Sequence, residues 1–142
     1  MRHLVVLWLH LLGVAVWLGG FVFTSHLVVP ALARGERACA ALLRRGRVVG
    51  WVALGLVVVT GFENLRHVSL AQPWVMAKLV LLIALLALAA HRDFALVPRI
   101  AAAVERGDDP AATPGGIRWL DRLVLALAVV VLFLGVGIAR SH

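Results

Sequence analysis

Six histidines of this sequence lie within or beside long apolar runs, where an ionisable side chain is costly and is therefore a functional candidate by default. His10 is the clearest case, since the four residues on each side of it are uncharged. Imidazole is a ligand of haem iron and of copper, so these residues predict cofactor or metal binding. The full set is His3, His10, His26, His67, His91 and His142.

The depth of each histidine in a bilayer is estimated by counting about 20 residues along its run from the flanking arginine. From Arg34 the count ends one turn short of His10, from Arg47 it ends at His67, and on the last run it ends at His142. A porphyrin needs one imidazole from each of two facing helices at similar depth. The leading hypothesis is therefore a b-type haem with His10 and His67 as axial ligands.

A second pair of histidines lies toward the opposite membrane face. His26 is eight residues from Arg34, and His91 adjoins Arg92. On a helical wheel His26 points about 160° away from His10, so the two histidines of the first helix serve different sites. His26 and His91 are the candidate ligands of a second haem, and two haems would bridge the membrane for electron transfer.

Three further residues are candidates for contact with the haem. Gly13 and Trp17 share a helix face with His10, and Gly13 is expected to leave room for a flat ring on which Trp17 packs. Lys78 lies one turn inside Trp74, where its ammonium either reaches water or neutralises an anionic group such as a haem propionate. Lys78 is therefore included among the candidate cofactor-binding residues.

Copper is the alternative to haem. Glu63 and His67 are four residues apart on one helix face, a spacing that can chelate a metal ion, and His10 is the predicted third ligand. Glu63 has the competing option of an ion pair with Arg2 or Arg66. A third hypothesis is a structural bundle that binds no cofactor.

Composition indicates which elements hold these residues in place. Hydrophobic residues make up 63% of the 142 residues and charged residues only 15%, and the mean hydropathy is +1.00. Because backbone amides find no water in hydrocarbon, each of the four apolar runs must form a helix. The prediction is an all-α integral membrane bundle that forms one domain over residues 1–142, with spans at about residues 4–33, 44–69, 74–97 and 118–140.

The positive charge predicts the orientation of the bundle and excludes nucleic acid as a partner. The formal charge of +7 comes from short segments between apolar runs and not from an extended basic face. Positive residues in short loops stay on the cytoplasmic side, which places both termini outside. The third helix is expected to continue as an amphipathic stretch to about Glu105. The arginines between helices are Arg34, Arg37, Arg44, Arg45, Arg47, Arg92, Arg99, Arg106 and Arg118.

A resemblance to a known family rests on motifs in the first three helices. They are the string from His10 through Gly13 and Trp17 to Gly20, the segment Trp74-Val-Met-Ala-Lys78-Leu79, and His91, with Arg47 and Thr60-Gly61 as weaker matches. Over roughly residues 4–92 the chain resembles the four-helix membrane module shared by CopD-type copper-resistance proteins and HemJ-type protoporphyrinogen oxidases.

The resemblance implies a connection to haem b or copper in a bacterial-type inner (plasma) membrane, with His10, Lys78 and His91 at the family's polar intramembrane positions. HemJ-like proteins tend to carry an arginine after a proline late in the first helix, whereas this chain has His26, which counts against that enzyme activity. A CopD-like copper importer is expected to use methionine ligands for Cu(I), yet the chain has only two methionines. Haem therefore leads copper as the predicted cofactor.

The functional prediction is a haem-binding membrane protein that transfers electrons, and the alternative is a copper-binding or copper-transporting membrane protein. Activity as a haem-dependent oxidoreductase is left open. The candidate redox partners are a quinone, a porphyrin or another protein, and glycines on the helix faces leave a homo-oligomer open. The lipid bilayer is the partner that the composition requires.

Overall fold

The computed structural model describes residues 1–66, 72–108 and 114–140, apart from the side chains of residues 114–116 and 137–140. All four of its long helices are of a length and hydropathy that can cross a membrane, which confirms the predicted all-α, four-span bundle. The orientation of the bundle in the bilayer stays a prediction. The helices are α1 (Arg2–Ala33), α2 (Ala38–Leu65), α3 (Pro73–Arg106) and α4 (Pro114–Arg140).

The second helix begins earlier than its hydropathy suggests. It starts at Ala38 and ends at Leu65, whereas the expected span covered residues 44–69. Alanine, leucine and arginine are strong helix formers, so the segment before Arg47 is helical although it is too polar to count as a membrane span. Arg44 and Arg47 consequently lie inside the helix and not at its start.

Two of the helices contain a wider π-helical turn, at Thr24–Val28 in α1 and at Arg92–Leu96 in α3. A proline follows each of them, Pro30 in α1 and Pro98 in α3. A proline ring clashes with the carbonyl four residues before it, which in both helices lies inside the π turn. The prolines thus account for the widened turns. Beyond its π turn α3 continues to Arg106, as the amphipathic pattern predicts.

The core is largest at the end of the bundle that carries most of the arginines, here called the basic end (described residues 24–47, 92–108 and 114–122). Side chains from all four helices form one buried cluster there, and a second cluster from α1, α3 and α4 continues it toward the membrane centre. Over the bundle as a whole, α1 packs most extensively on α2, and α3 on α4. The first cluster contains Val28, Val29, Leu32, Leu43, Val97, Ile100, Val104 and Ile117.

The close approach of α1 to α2 depends on Gly13. A Cβ atom at this position would lie 2.9 Å from Val57 Cγ2 and 3.2 Å from the carbonyl oxygen of Ala53. In lipid, such close contact between backbones replaces the hydrophobic effect as the source of helix association. The sequence prediction that Gly13 leaves room for a flat ring is wrong, because Val57 fills that space.

Replacement of Gly13 by alanine tests this contact. Gly13→Ala is expected to destabilise the bundle by about 1–3 kcal/mol, because the added methyl group overlaps with Val57. The free energy of unfolding can be measured by reversible SDS unfolding in mixed micelles. Gly19→Ala is the matched control, since nothing lies within 4 Å of a Cβ atom at Gly19, and it should leave stability unchanged or raise it. Wild-type stability of Gly13→Ala would contradict the packing described above.

Candidate functional site

His10 is half-buried where α1 faces α2. Its Nδ1 atom lies 3.0 Å from Thr60 Oγ1. The ring also lies against Gly61, because a Cβ atom at that position would be 3.3 Å from His10 Cε1. The missing side chain at Gly61 lets the imidazole approach the α2 backbone, so α2 fixes the orientation of the ring.

The hydrogen bonds of Thr60 decide which nitrogen of His10 carries the proton. The Thr60 hydroxyl has a single hydrogen, and it donates this hydrogen to the Leu56 carbonyl oxygen at 2.6 Å, a bond that threonine commonly makes inside a helix. When this hydrogen is on Leu56, Thr60 Oγ1 accepts a hydrogen bond from the His10 Nδ1–H group, so the arrangement favours the Nδ1–H tautomer. The Nε2 atom of His10 keeps its lone pair, as a metal-binding or proton-accepting histidine requires.

Lys78 reaches the same region from α3. Its ammonium lies close enough to His10 for the two groups to interact electrostatically. Its Nζ atom is 3.0 Å from the point where a Cβ atom of Gly135 on α4 would stand, so that glycine provides the space that the ammonium occupies. His10, Thr60 and Lys78 are here called the His10 cluster, to which α1, α2 and α3 each contribute one residue.

Glu63, a predicted copper ligand, is engaged with two arginines. Its Oε1 atom accepts a hydrogen bond from Arg2 at 3.2 Å, and its Oε2 atom lies 3.2 Å from Arg66. His67 lies outside the described residues, so its predicted roles in haem and copper binding stay predictions. Within residues 1–66, 72–108 and 114–140, no three His, Cys, Asp or Glu side chains gather closely enough to hold a metal ion.

The remaining histidines are placed away from the His10 cluster or outside the described residues. His26 is exposed on α1, and its Nδ1 atom donates to the Val22 carbonyl oxygen at 3.0 Å within the same helix. His91 is exposed on α3 and His3 is exposed near the start of α1, while His142 lies outside the described residues. The second haem site of His26 and His91 stays a prediction.

A second polar group surrounds Arg92, which is only 3% exposed. Its guanidinium donates hydrogen bonds to Asp121, to Asp93 at 2.7 Å and to Ser25 Oγ at 3.1 Å. The same guanidinium lies 4.7 Å from the centroid of the Phe21 ring, which adds a cation–π contact. Arg92, which the sequence analysis used only as an orientation signal, is therefore a buried ion-pair partner.

Asp93 extends this group to α2. Its carboxylate accepts a hydrogen bond from Trp51 Nε1 at 3.1 Å, and its backbone carbonyl accepts one from Arg47 at 2.9 Å. The chain has only seven acidic residues, and Asp93 and Asp121 are among those that stand beside apolar runs, which is a signal that the sequence offers. The group links all four helices and is here called the Arg92 cluster, consisting of Ser25, Arg47, Trp51, Arg92, Asp93 and Asp121.

Loss of the Asp121 charge tests the Arg92 cluster. Asp121→Asn is expected to destabilise the bundle by about 3 kcal/mol, because it leaves a buried guanidinium short of one carboxylate. Glu36→Gln is the matched control, since it removes the charge from an exposed pair with Arg34 and should cost less than about 1 kcal/mol. The free energy of unfolding measures both variants. Equal costs for the two substitutions would show that the Arg92 cluster does not stabilise the fold.

A protein-family model described as CopD, copper resistance protein D, matches residues 40–138 of the chain. The matched region covers more than two thirds of the chain, including nearly all of α2, the whole of α3 and most of α4. Thr60, Lys78 and the buried pair of Arg92 and Asp121 lie within it, whereas His10 precedes it. Comparison with curated protein sequences and with solved structures finds no match.

Proposed function

Because the chain belongs to the CopD copper-resistance protein family, we propose that it is a multi-pass membrane protein that binds copper within its helix bundle and takes part in moving the ion. Copper is the cargo in this proposal and not a resident cofactor. The observation that carries the proposal is the contact of His10 Nδ1 with Thr60 Oγ1, which favours the tautomer with the proton on Nδ1 and a lone pair on Nε2. Imidazole nitrogen is a suitable ligand for copper.

Thr60 supports the role of His10 without touching the ion. A metal-binding histidine generally donates its second N–H to a neighbouring group, which fixes the tautomer and makes the ligating nitrogen more basic. Thr60 is that neighbour in this chain, and the adjacent Gly61 holds the ring in place by close contact. Both residues lie in the region matched by the family.

Lys78 adapts the site to transient occupancy. A positive charge near His10 weakens the binding of a copper ion there, because the interior of the bundle screens charges less than water does. An ion that is to be passed on must bind strongly enough to enter and weakly enough to leave. His67 is the proposed second ligand, and Glu63 can join only by giving up an ion pair with Arg2 or Arg66.

Haem b, with electron transfer, is the competing function. It rests on the HemJ-type resemblance, and the room expected for a porphyrin beside Gly13 is filled by Val57. The residues present therefore do not fit a haem between α1 and α2 at that level.

The absorption spectrum separates the two functions. Protein purified after expression with ample haem supply is expected to show no Soret band that depends on His10, because Val57 fills the space beside Gly13. A stoichiometric Soret band that His10→Ala abolishes would replace copper by haem in the proposal.

Copper affinity tests the proposal directly. Wild-type protein in lipid nanodiscs is expected to take Cu(I) from a chromogenic chelator under reducing conditions, and His10→Ala is expected to lose this ability. Thr60→Val keeps the shape of the side chain but removes the hydrogen-bond acceptor, so affinity should fall about 10–100-fold. His26→Ala is the matched control, because that exposed imidazole bonds only to its own helix.

Two results of this experiment bear on the ligand set. Loss of Cu(I) binding in His67→Ala would support the predicted second ligand, whereas unchanged affinity would remove His67 from the site and leave His10. Unchanged affinity in His10→Ala would contradict the proposed function.

A further inference from the structure

A cavity of about 530 Å³ opens at the basic end between α1, α2 and α3. Arg44, Arg45 and Arg47 of α2 line it, and Arg92 lies in its wall. Much of the remaining wall is apolar and includes Trp17. The cavity therefore joins a cationic rim to an apolar interior.

The cavity continues into an apolar groove of about 300 Å³ between α1 and α2, and the two share Val16 and Val49 in their walls. The groove extends to Leu56, which is eleven residues from Arg45 along α2. That distance is about 16 Å at the rise of an α-helix, and one leaflet of the hydrocarbon core is about 15 Å thick. The cavity and the groove together thus span the length of one leaflet.

Missing side chains keep the cavity open. Gly50 of α2 lines the cavity, and a Cβ atom there would lie 4.0 Å from Trp17, its nearest neighbour. Gly20 of α1 also lines the cavity, and nothing lies within 4 Å of a Cβ atom at that position. A side chain at either glycine would project into space that a flexible chain can occupy.

The rim has an excess of positive charge. Asp93 and Glu105 also line the cavity, but the Asp93 carboxylate is already bonded to Arg92 and Trp51. In the described part of the chain, none of the ion pairs involves Arg44 or Arg45. These two guanidinium groups are therefore available to an anion, to which arginine offers paired N–H donors.

We propose that the cavity and groove bind one anionic phospholipid. Its phosphate contacts Arg44 and Arg45, and one acyl chain lies along the groove from Val49 toward Leu56. Headgroups lie at the depth where basic residues flank a membrane span, and anionic lipids are attracted to such residues. A zwitterionic lipid offers less net charge to the rim, and a phosphate without a chain leaves the groove empty.

Native mass spectrometry of protein released from nanodiscs with equal amounts of phosphatidylglycerol and phosphatidylcholine tests the proposal. Wild-type protein is expected to retain one phosphatidylglycerol in preference to phosphatidylcholine. The double variant Arg44→Gln, Arg45→Gln should weaken phosphatidylglycerol binding about thirtyfold, since each basic residue near an anionic lipid contributes roughly a fivefold change in affinity. Circular dichroism verifies that the variant stays helical.

The matched control is the double variant Arg34→Gln, Arg37→Gln, which removes two charges from the same end of the bundle at residues that do not line the cavity. It should bind phosphatidylglycerol within about twofold of wild type, because neither arginine lines the cavity in which the headgroup is proposed to lie. An equal loss of binding in the two double variants, or no preference for phosphatidylglycerol in wild type, would overturn the proposal.

Competition on the unmodified protein tests the groove separately. Dioctanoyl-phosphatidylglycerol should displace the retained lipid, and glycerophosphoglycerol, the headgroup without acyl chains, should be at least tenfold weaker. Inorganic phosphate should not compete at the same concentration. Equal competition by the headgroup or by phosphate would show an anion site without a lipid groove and would overturn the proposal.

Discussion

A polar side chain in hydrocarbon has no water to bond with, so the protein itself must supply its partners, and the placement of the ionisable residues in this bundle follows from that constraint. Arg92 is surrounded by Asp121, Asp93 and Ser25, and its charge is compensated within the bundle. His10 uses Thr60 in the same way at Nδ1, and the tautomer that this contact favours leaves a lone pair on Nε2. A fully paired group such as Arg92 has a structural role, whereas a half-paired group such as His10 can accept a ligand.

The two clusters also lie in parts of the bundle that are held together differently. At the basic end, buried apolar side chains from four helices surround the Arg92 cluster, and the π turns before Pro30 and Pro98 bring Ser25 and Arg92 to it. Around His10, the contact between α1 and α2 depends on close approach at glycines. Copper binding is therefore proposed in a part of the bundle that lies outside the two buried apolar clusters. A lipid at the basic end would fill the crevice between the same two helices without touching that site.

The four apolar runs were enough to predict the helices, because hydrocarbon leaves a backbone no other way to satisfy its amides. The start of α2 at Ala38 could not be read from hydropathy, since arginine-rich residues that form a good helix resemble a loop in that respect. The contact between His10 and Thr60 could not be predicted, because the two residues are far apart in sequence. The aliphatic run that contains Thr60 also does not indicate which face of α2 meets α1. Gly13 was misinterpreted for a related reason: a missing side chain signals either open space or close contact, and only the neighbouring helix decides which.

In the proposed copper site, Thr60 holds His10 as the Nδ1–H tautomer and leaves Nε2 to ligate copper. Nitrogen-15 NMR of histidine-labelled protein in nanodiscs tests it most directly, with His10 assigned by comparison with His10→Ala. The expected spectrum shows a protonated Nδ1 and an unprotonated Nε2, and addition of Cu(I) should shift the Nε2 resonance while the Nδ1 proton stays bound. A protonated Nε2 in the metal-free protein, or a His10 signal that Cu(I) does not move, would contradict the claim.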